Sequence, residues 1–163
     1  MTTIGLISDT HSFLDSRVEK FFENIDQIWH AGDIGSVDVS DCLCKISELV
    51  AVYGNIDNSY IRIQYPEYQY NEVDGVGILM MHIGGYPGRY SALAKELISK
   101  YKPKIFISGH SHILKVMNDK KYGLLHINPG AAGNNGFHNV KTAVRFKVDK
   151  GNILDLEIWE AQR

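Results

Sequence analysis

Five apolar stretches of this chain each run directly into a short polar cluster, and no other feature of the sequence limits the fold as much. IGLIS precedes Asp9-Thr10-His11, IDQIWHA precedes Gly32-Asp33, and ELVAVYG leads to Asn55. VGILMM ends at His82, and KIFIS at Gly109-His110-Ser111-His112. Apolar runs of this length, bounded by glycine and polar residues, read as buried strands. The loops that follow parallel strands gather at the strands' C-terminal ends, so polar residues just past those ends share one crevice. Seven side chains able to ligate a metal thus head for the same place: Asp9, His11, Asp33, Asn55, His82, His110 and His112. An eighth ligand position arises if one carboxylate serves two ions.

Between these strands the pattern turns helical. Leu14, Val18, Phe21, Phe22 and Ile25 recur at helical spacing, as do Val39, Leu43 and Ile46, so the first third alternates strand and helix. Such repeats imply a parallel sheet. Further on, Asp74-Gly75 marks a hairpin within residues 72–83, and residues 91–102 form a helix capped by Ser91 and stopped before Pro103. Residues 115–128 and 143–159 each read as a strand pair around a polar turn. Parallel units followed by hairpins predict two mixed sheets packed face to face with helices outside, an α/β sandwich. With no linker or repeat in view, residues 1–163 are expected to form a single domain.

Composition narrows the function. The formal charge of −2 offers no general attraction to nucleic acid or to an anionic membrane, so affinity for a phosphate compound must come from a local site. No apolar run reaches the ~20 residues of a membrane span, and MTTIGLISD lacks the pattern of a signal peptide. Cys42 and Cys44 are expected to be small buried thiols in a reducing compartment, which makes the cytoplasm the default location.

Each cluster alone has an ordinary explanation. Asp9 could cap a helix, Gly32-Asp33 and Gly54-Asn55 could be turns, and His82 could be a hydrogen-bonded strand-end histidine. Gly109-His110-Ser111-His112 is the most ligand-like. The ordered set D-x-H, G-D, G-N, H, G-H-x-H, each after a strand, is what separates a site from five accidents.

That ordered set, with Asn128-Pro129-Gly130 near the end, resembles the calcineurin-like metallophosphoesterase superfamily, in particular its small single-domain phosphodiesterase branch. The resemblance implies the family's four-layer architecture and two divalent metal ions, with Mn, Fe, Zn and Ni all suited to these donors. It also implies that Asp9, His11 and His112 hold one ion, that Asp33 bridges to the other, and that Asn55, His82 and His110 complete the protein ligands of that second ion. Asp33, Asn55 and His82 would then act in catalysis through a metal-bound hydroxide that attacks phosphorus. Two divalent ions, two carboxylates and one hydroxide sum to a net single positive charge, which favours a phosphate ester. The implied partner is a small phosphate-ester substrate, and a homodimer or homotetramer is in keeping with the family.

Ile56 departs from the pattern, because many relatives carry a histidine there that assists the leaving group; the expectation is a preference for good leaving groups. Asp57 and Asn128 are expected to shape backbone. His30 is expected either to orient a metal ligand or to be structural. Tyr86 is a candidate substrate contact, Arg89 is expected to be solvated, and His126 and His138 are expected to be structural. The alternative function is a non-catalytic protein-binding scaffold, as in the retromer-coat subunit of this architecture, which lacks a full set of active residues. This chain retains all seven.

Overall fold

The structure, a computed structural model, describes residues 1–163. Ten strands and four helices follow in the order β1 (Thr2–Ile7), α1 (Ser16–Phe21), β2 (Gln27–His30), α2 (Val37–Ile46), β3 (Glu48–Ala51), α3 (Ser59–Gln64), β4 (Tyr68–Val73), β5 (Val76–Met81), α4 (Ala92–Tyr101), β6 (Ile105–Ile107), β7 (Leu114–Asp119), β8 (Leu124–Pro129), β9 (Val140–Asp149) and β10 (Asn152–Gln162). They form two five-stranded sheets, ordered β10-β9-β1-β2-β3 and β4-β5-β6-β8-β7. In the first, β1, β2 and β3 are parallel and the β9–β10 hairpin returns to pair antiparallel with β1. In the second, β5, β6 and β8 are parallel and β4 and β7 are antiparallel edges.

Strand alternation explains the layering, because successive side chains point to opposite faces. Ile4 and Leu6 of β1, Ile78 and Met80 of β5, and Ile105 and Ile107 of β6 meet between the sheets in the central core. Ile7 and Ile28 face the other way, against Val18, Val39, Leu43 and Ile61 of the helices over the first sheet. Leu79, Met81 and Phe106 likewise pack on Ala94, Leu97 and Ile98 of α4. The result is helix, sheet, sheet, helix, as the sequence predicts.

Three expectations need correction. The first helix spans only Ser16–Phe21, because Asn24 adopts a left-handed φ of 62° that ends the turn before Ile25. Residues 57–72, where the sequence pattern indicates neither helix nor strand, contain α3 and most of β4. Cys42 and Cys44 are exposed, since Val39 and Leu43 define the buried stripe of α2 and the cysteines lie to either side of it. No helix is long and apolar enough to cross a membrane.

Candidate metal centre

All seven predicted site residues emerge from C-terminal strand ends, two from the turn after β1, one each after β2, β3 and β5, and two after β6. Five of them, Asp9, His11, Asp33, His110 and His112, have φ between 46° and 69°. Non-glycine residues in this region are strained by ~1 kcal/mol or more each, and such strain persists where the surroundings over-determine it. Glycine is required beside two of the loops. A β-carbon at Gly54 would collide with Asp33 Oδ1, and one at Gly109 with Ser8 Oγ.

The side chains converge in two groups. Asp9, His11 and His112 bring one ligand atom each within 4.8 Å of one another, and so do Asp33, His82 and His110. The imidazoles pair edge to face in the same way in both, His11 with His112 at 5.4 Å and His82 with His110 at 5.3 Å between centroids. Asp33 lies between the groups: Oδ2 is 3.3 Å from His11 Nε2 and Oδ1 is 3.2 Å from His82 Nε2. Asp9 Oδ1 is 3.2 Å from His112 Nε2 and 3.9 Å from His82 Nε2. Asn55 joins the second group through Oδ1, 3.1 Å from His82 Nε2. Asp9, Asp33 and His82 form the buried floor, while Asn55 and His110 are exposed at the mouth.

The hydrogen bonds assign these atoms their roles. Asp9 Oδ2 accepts from Ser8 Oγ and from the His110 N–H, which leaves Oδ1 buried without a hydrogen-bond partner. His11 Nε2 is buried and unpartnered as well. His82 Nδ1 donates to the Ala31 carbonyl, so Nε2 presents either a lone pair or a proton to the oxygens of Asn55, Asp33 and Asp9. Buried acceptors crowded together without donors are costly unless a cation lies among them. The donors are nitrogen and oxygen with no thiolate, which fits borderline divalent ions.

The charges are coupled accordingly. Burial pushes the Asp33 carboxyl up, but the His82 hydrogen bond and charge, with the Ile56 N–H and His11, hold it below the usual range. Burial favours neutral His82, yet Asp33 and Asp9 raise its pKa above the ordinary value. The Asp9 carboxylate, 3.2 Å from His112 Nε2, raises that of His112.

Supporting residues hold the loops. Asp57, buried, accepts from the N–H groups of Ile34, Gly35 and Gly54, tying the Asp33 loop to the Asn55 loop. Asn128 donates to the Gly109 carbonyl and to Ser111 Oγ, shaping the turn that carries His110. His30 reaches no ligand side chain. Its Nδ1 accepts from Gly32 N–H and its Nε2 donates to Thr10 Oγ1, so it braces the backbone of two loops, and burial holds its pKa down to about 4. Arg89 is exposed. Ser8 was not anticipated; its only mark in the sequence is its place immediately before Asp9.

The chain belongs to the calcineurin-like phosphoesterase superfamily, whose domain model matches residues 2–151. A probable metallophosphoesterase of Methanocaldococcus jannaschii is 32% identical over 134 residues, covering 78% of this chain and 67% of that protein. The fold is shared with a single mutant of Vps29 from Entamoeba histolytica at a TM-score of 0.78, 16% identity and 99% coverage of both chains. It is also shared with a structure described as a novel archaeal phosphodiesterase, at a TM-score of 0.72, 21% identity and coverage of 96% of this chain and 99% of that one. The family is metal-dependent, and the two side-chain groups are its candidate metal sites in this chain.

Proposed function

We propose that this chain is a dinuclear metal-dependent phosphoesterase acting on phosphodiesters. The observation that carries the reading is Asp33, which turns one carboxylate oxygen to each of two groups of metal-competent side chains. Asp9, His11 and His112 would hold one ion and Asn55, His82 and His110 the other, with Asp33 shared. Manganese, iron, zinc or nickel in these positions would supply Lewis acidity toward a phosphoryl oxygen and lower the pKa of a bound water.

The chain's own residues supply orientation and access. Ser8 and the His110 N–H fix the Asp9 carboxylate, and the Ala31 carbonyl fixes the His82 ring. The exposed side of the crevice, at Asn55 and His110, is where a phosphate group can approach. Ile56 lends only its backbone N–H, donated to Asp33 Oδ1, and its aliphatic side chain has no proton for a leaving alkoxide. Esters with good leaving groups should therefore react fastest.

The test is hydrolysis of bis(p-nitrophenyl) phosphate with manganese, in wild type and Asp33→Ala. The expected result is turnover by the wild type and its loss in the variant. The shared fold with Vps29 favours a second reading, a protein-binding scaffold. A wild type that binds no manganese and turns over neither diester nor monoester would favour it.

A further inference from the structure

Resting on the phosphoesterase reading, we infer that the substrate is a phosphodiester whose two ester arms lie in separate pockets on either side of Ile83. One cavity, about 340 Å³, opens beside Asn55 and His82 and is walled by Tyr53, Arg62 and Leu93. A second, about 330 Å³, opens beside His110 and is walled by Tyr86, Ile113 and Lys115. The two share Ile83 and no other residue. Ile83 directly follows His82 and is 47% exposed, so it forms the partition between them. Both cavities border one ligand group, the first through His82 and the second through His110. A phosphorus atom held at that group has a ligand-sized pocket on each side. A monoester has a single arm and fills only one.

The pockets are built alike and charged differently. Each has a cation over a tyrosine ring, Arg62 over Tyr53 and Lys115 over Tyr86, both at 4.5 Å from the centroid. Arg62 is engaged, donating to the carbonyls of Gly54, Asn55 and Asp57, and Glu67 lines the same cavity. That pocket suits an uncharged arm. Lys115 lies over the Tyr86 ring, and no carboxylate lines its pocket. This second pocket suits an arm carrying further oxygen acceptors, such as a sugar or a second phosphate.

Two substitutions of residues that are not themselves candidate ligands test the assignment: Leu93→Trp fills the first pocket and Ile113→Trp, next to His112, the second. Each should raise KM for bis(p-nitrophenyl) phosphate by about tenfold with little change in kcat, as loss of uniform binding does. KM for p-nitrophenyl phosphate should rise in only one of them. The binding readout is amide chemical shifts of the zinc-loaded wild type on addition of diphenyl phosphate or phenyl phosphate. Diphenyl phosphate should shift amides on both sides of Ile83, near Leu93 and near Ile113, and phenyl phosphate on one side. Unchanged KM values in both variants, or one-sided shifts with both probes, would overturn the inference while leaving hydrolysis intact. Two-sided shifts in a protein that cleaves neither ester would support the pockets and contradict the hydrolytic reading alone.

Discussion

Asn55 Oδ1 lies 3.1 Å from His82 Nε2, although His82 already donates through Nδ1 to the Ala31 carbonyl. A neutral ring would set lone pair against lone pair, so Nε2 carries either a proton or a cation. Asp33 and Asp9 overcome the effect of burial and raise the His82 pKa, and Asp9 raises that of His112, so below those raised values both rings hold protons that a metal must displace. Manganese affinity should therefore fall as the pH drops through and below neutrality, with proton release on binding. Calorimetry in buffers of different ionisation enthalpy measures this; uptake with no proton release would contradict it.

Asp57 joins the loops of Asp33 and Asn55 through three backbone N–H groups, at 3.2 Å to Ile34 and 2.7 Å to Gly35 and Gly54. Asp57→Ala strands those donors at a cost of about 3 kcal/mol. In a chain of this size that lowers Tm by roughly 10 °C. Asp57→Asn should recover part of the loss, because its amide keeps one acceptor oxygen. Thermal denaturation of both variants decides this.

His30 and His126 make the fold less stable between neutral pH and pH 4. Burial holds both pKa values down to about 4, with Lys115 adding to the effect at His126. The unfolded chain takes up these protons near the ordinary value of about 6.5. Their contribution is whole above that pH, drains as pH falls toward 4, and changes no further below. The loss is of order 3 kcal/mol for each histidine. Urea midpoints at pH 7.5, 5.5 and 4 should trace it, and His126→Phe should flatten part of the slope.

Lys141 and Asp15, 126 positions apart, form a buried ion pair at 2.6 Å that fastens β9 to the start of α1. Arg17 also binds Asp15, and together with Lys141 it overcomes burial to hold that carboxyl far below the usual range. Asp15→Leu leaves a buried ammonium unpaired and should cost about 3–5 kcal/mol. The double variant Asp15→Leu, Lys141→Met should recover most of that. Chemical denaturation of the single and double variants tests the coupling.

The strands were legible because their apolar runs are long and sharply bounded, and the candidate ligands because each stands just past a strand end. The layering was legible because parallel strand–helix units give way to hairpins along the chain. What the sequence hid was local or distant. Six-residue α3 buries only Ile61 and shows no periodicity. The return of β9 to β1 joins segments nearly the whole chain apart. Ser8 and Asp57 act through backbone bonds to other loops, which composition does not reveal. The left-handed backbone at five candidate ligand positions left no mark, because aspartate and histidine, although enriched there, adopt the ordinary regions far more often.

The central claim, that Asp33 is shared by two cations, is tested most directly by electron paramagnetic resonance of the manganese-loaded protein. A spin-coupled signal from a pair of ions in each chain, lost in Asp33→Ala, is the predicted result. A signal from isolated manganese only, or no bound manganese, would contradict it.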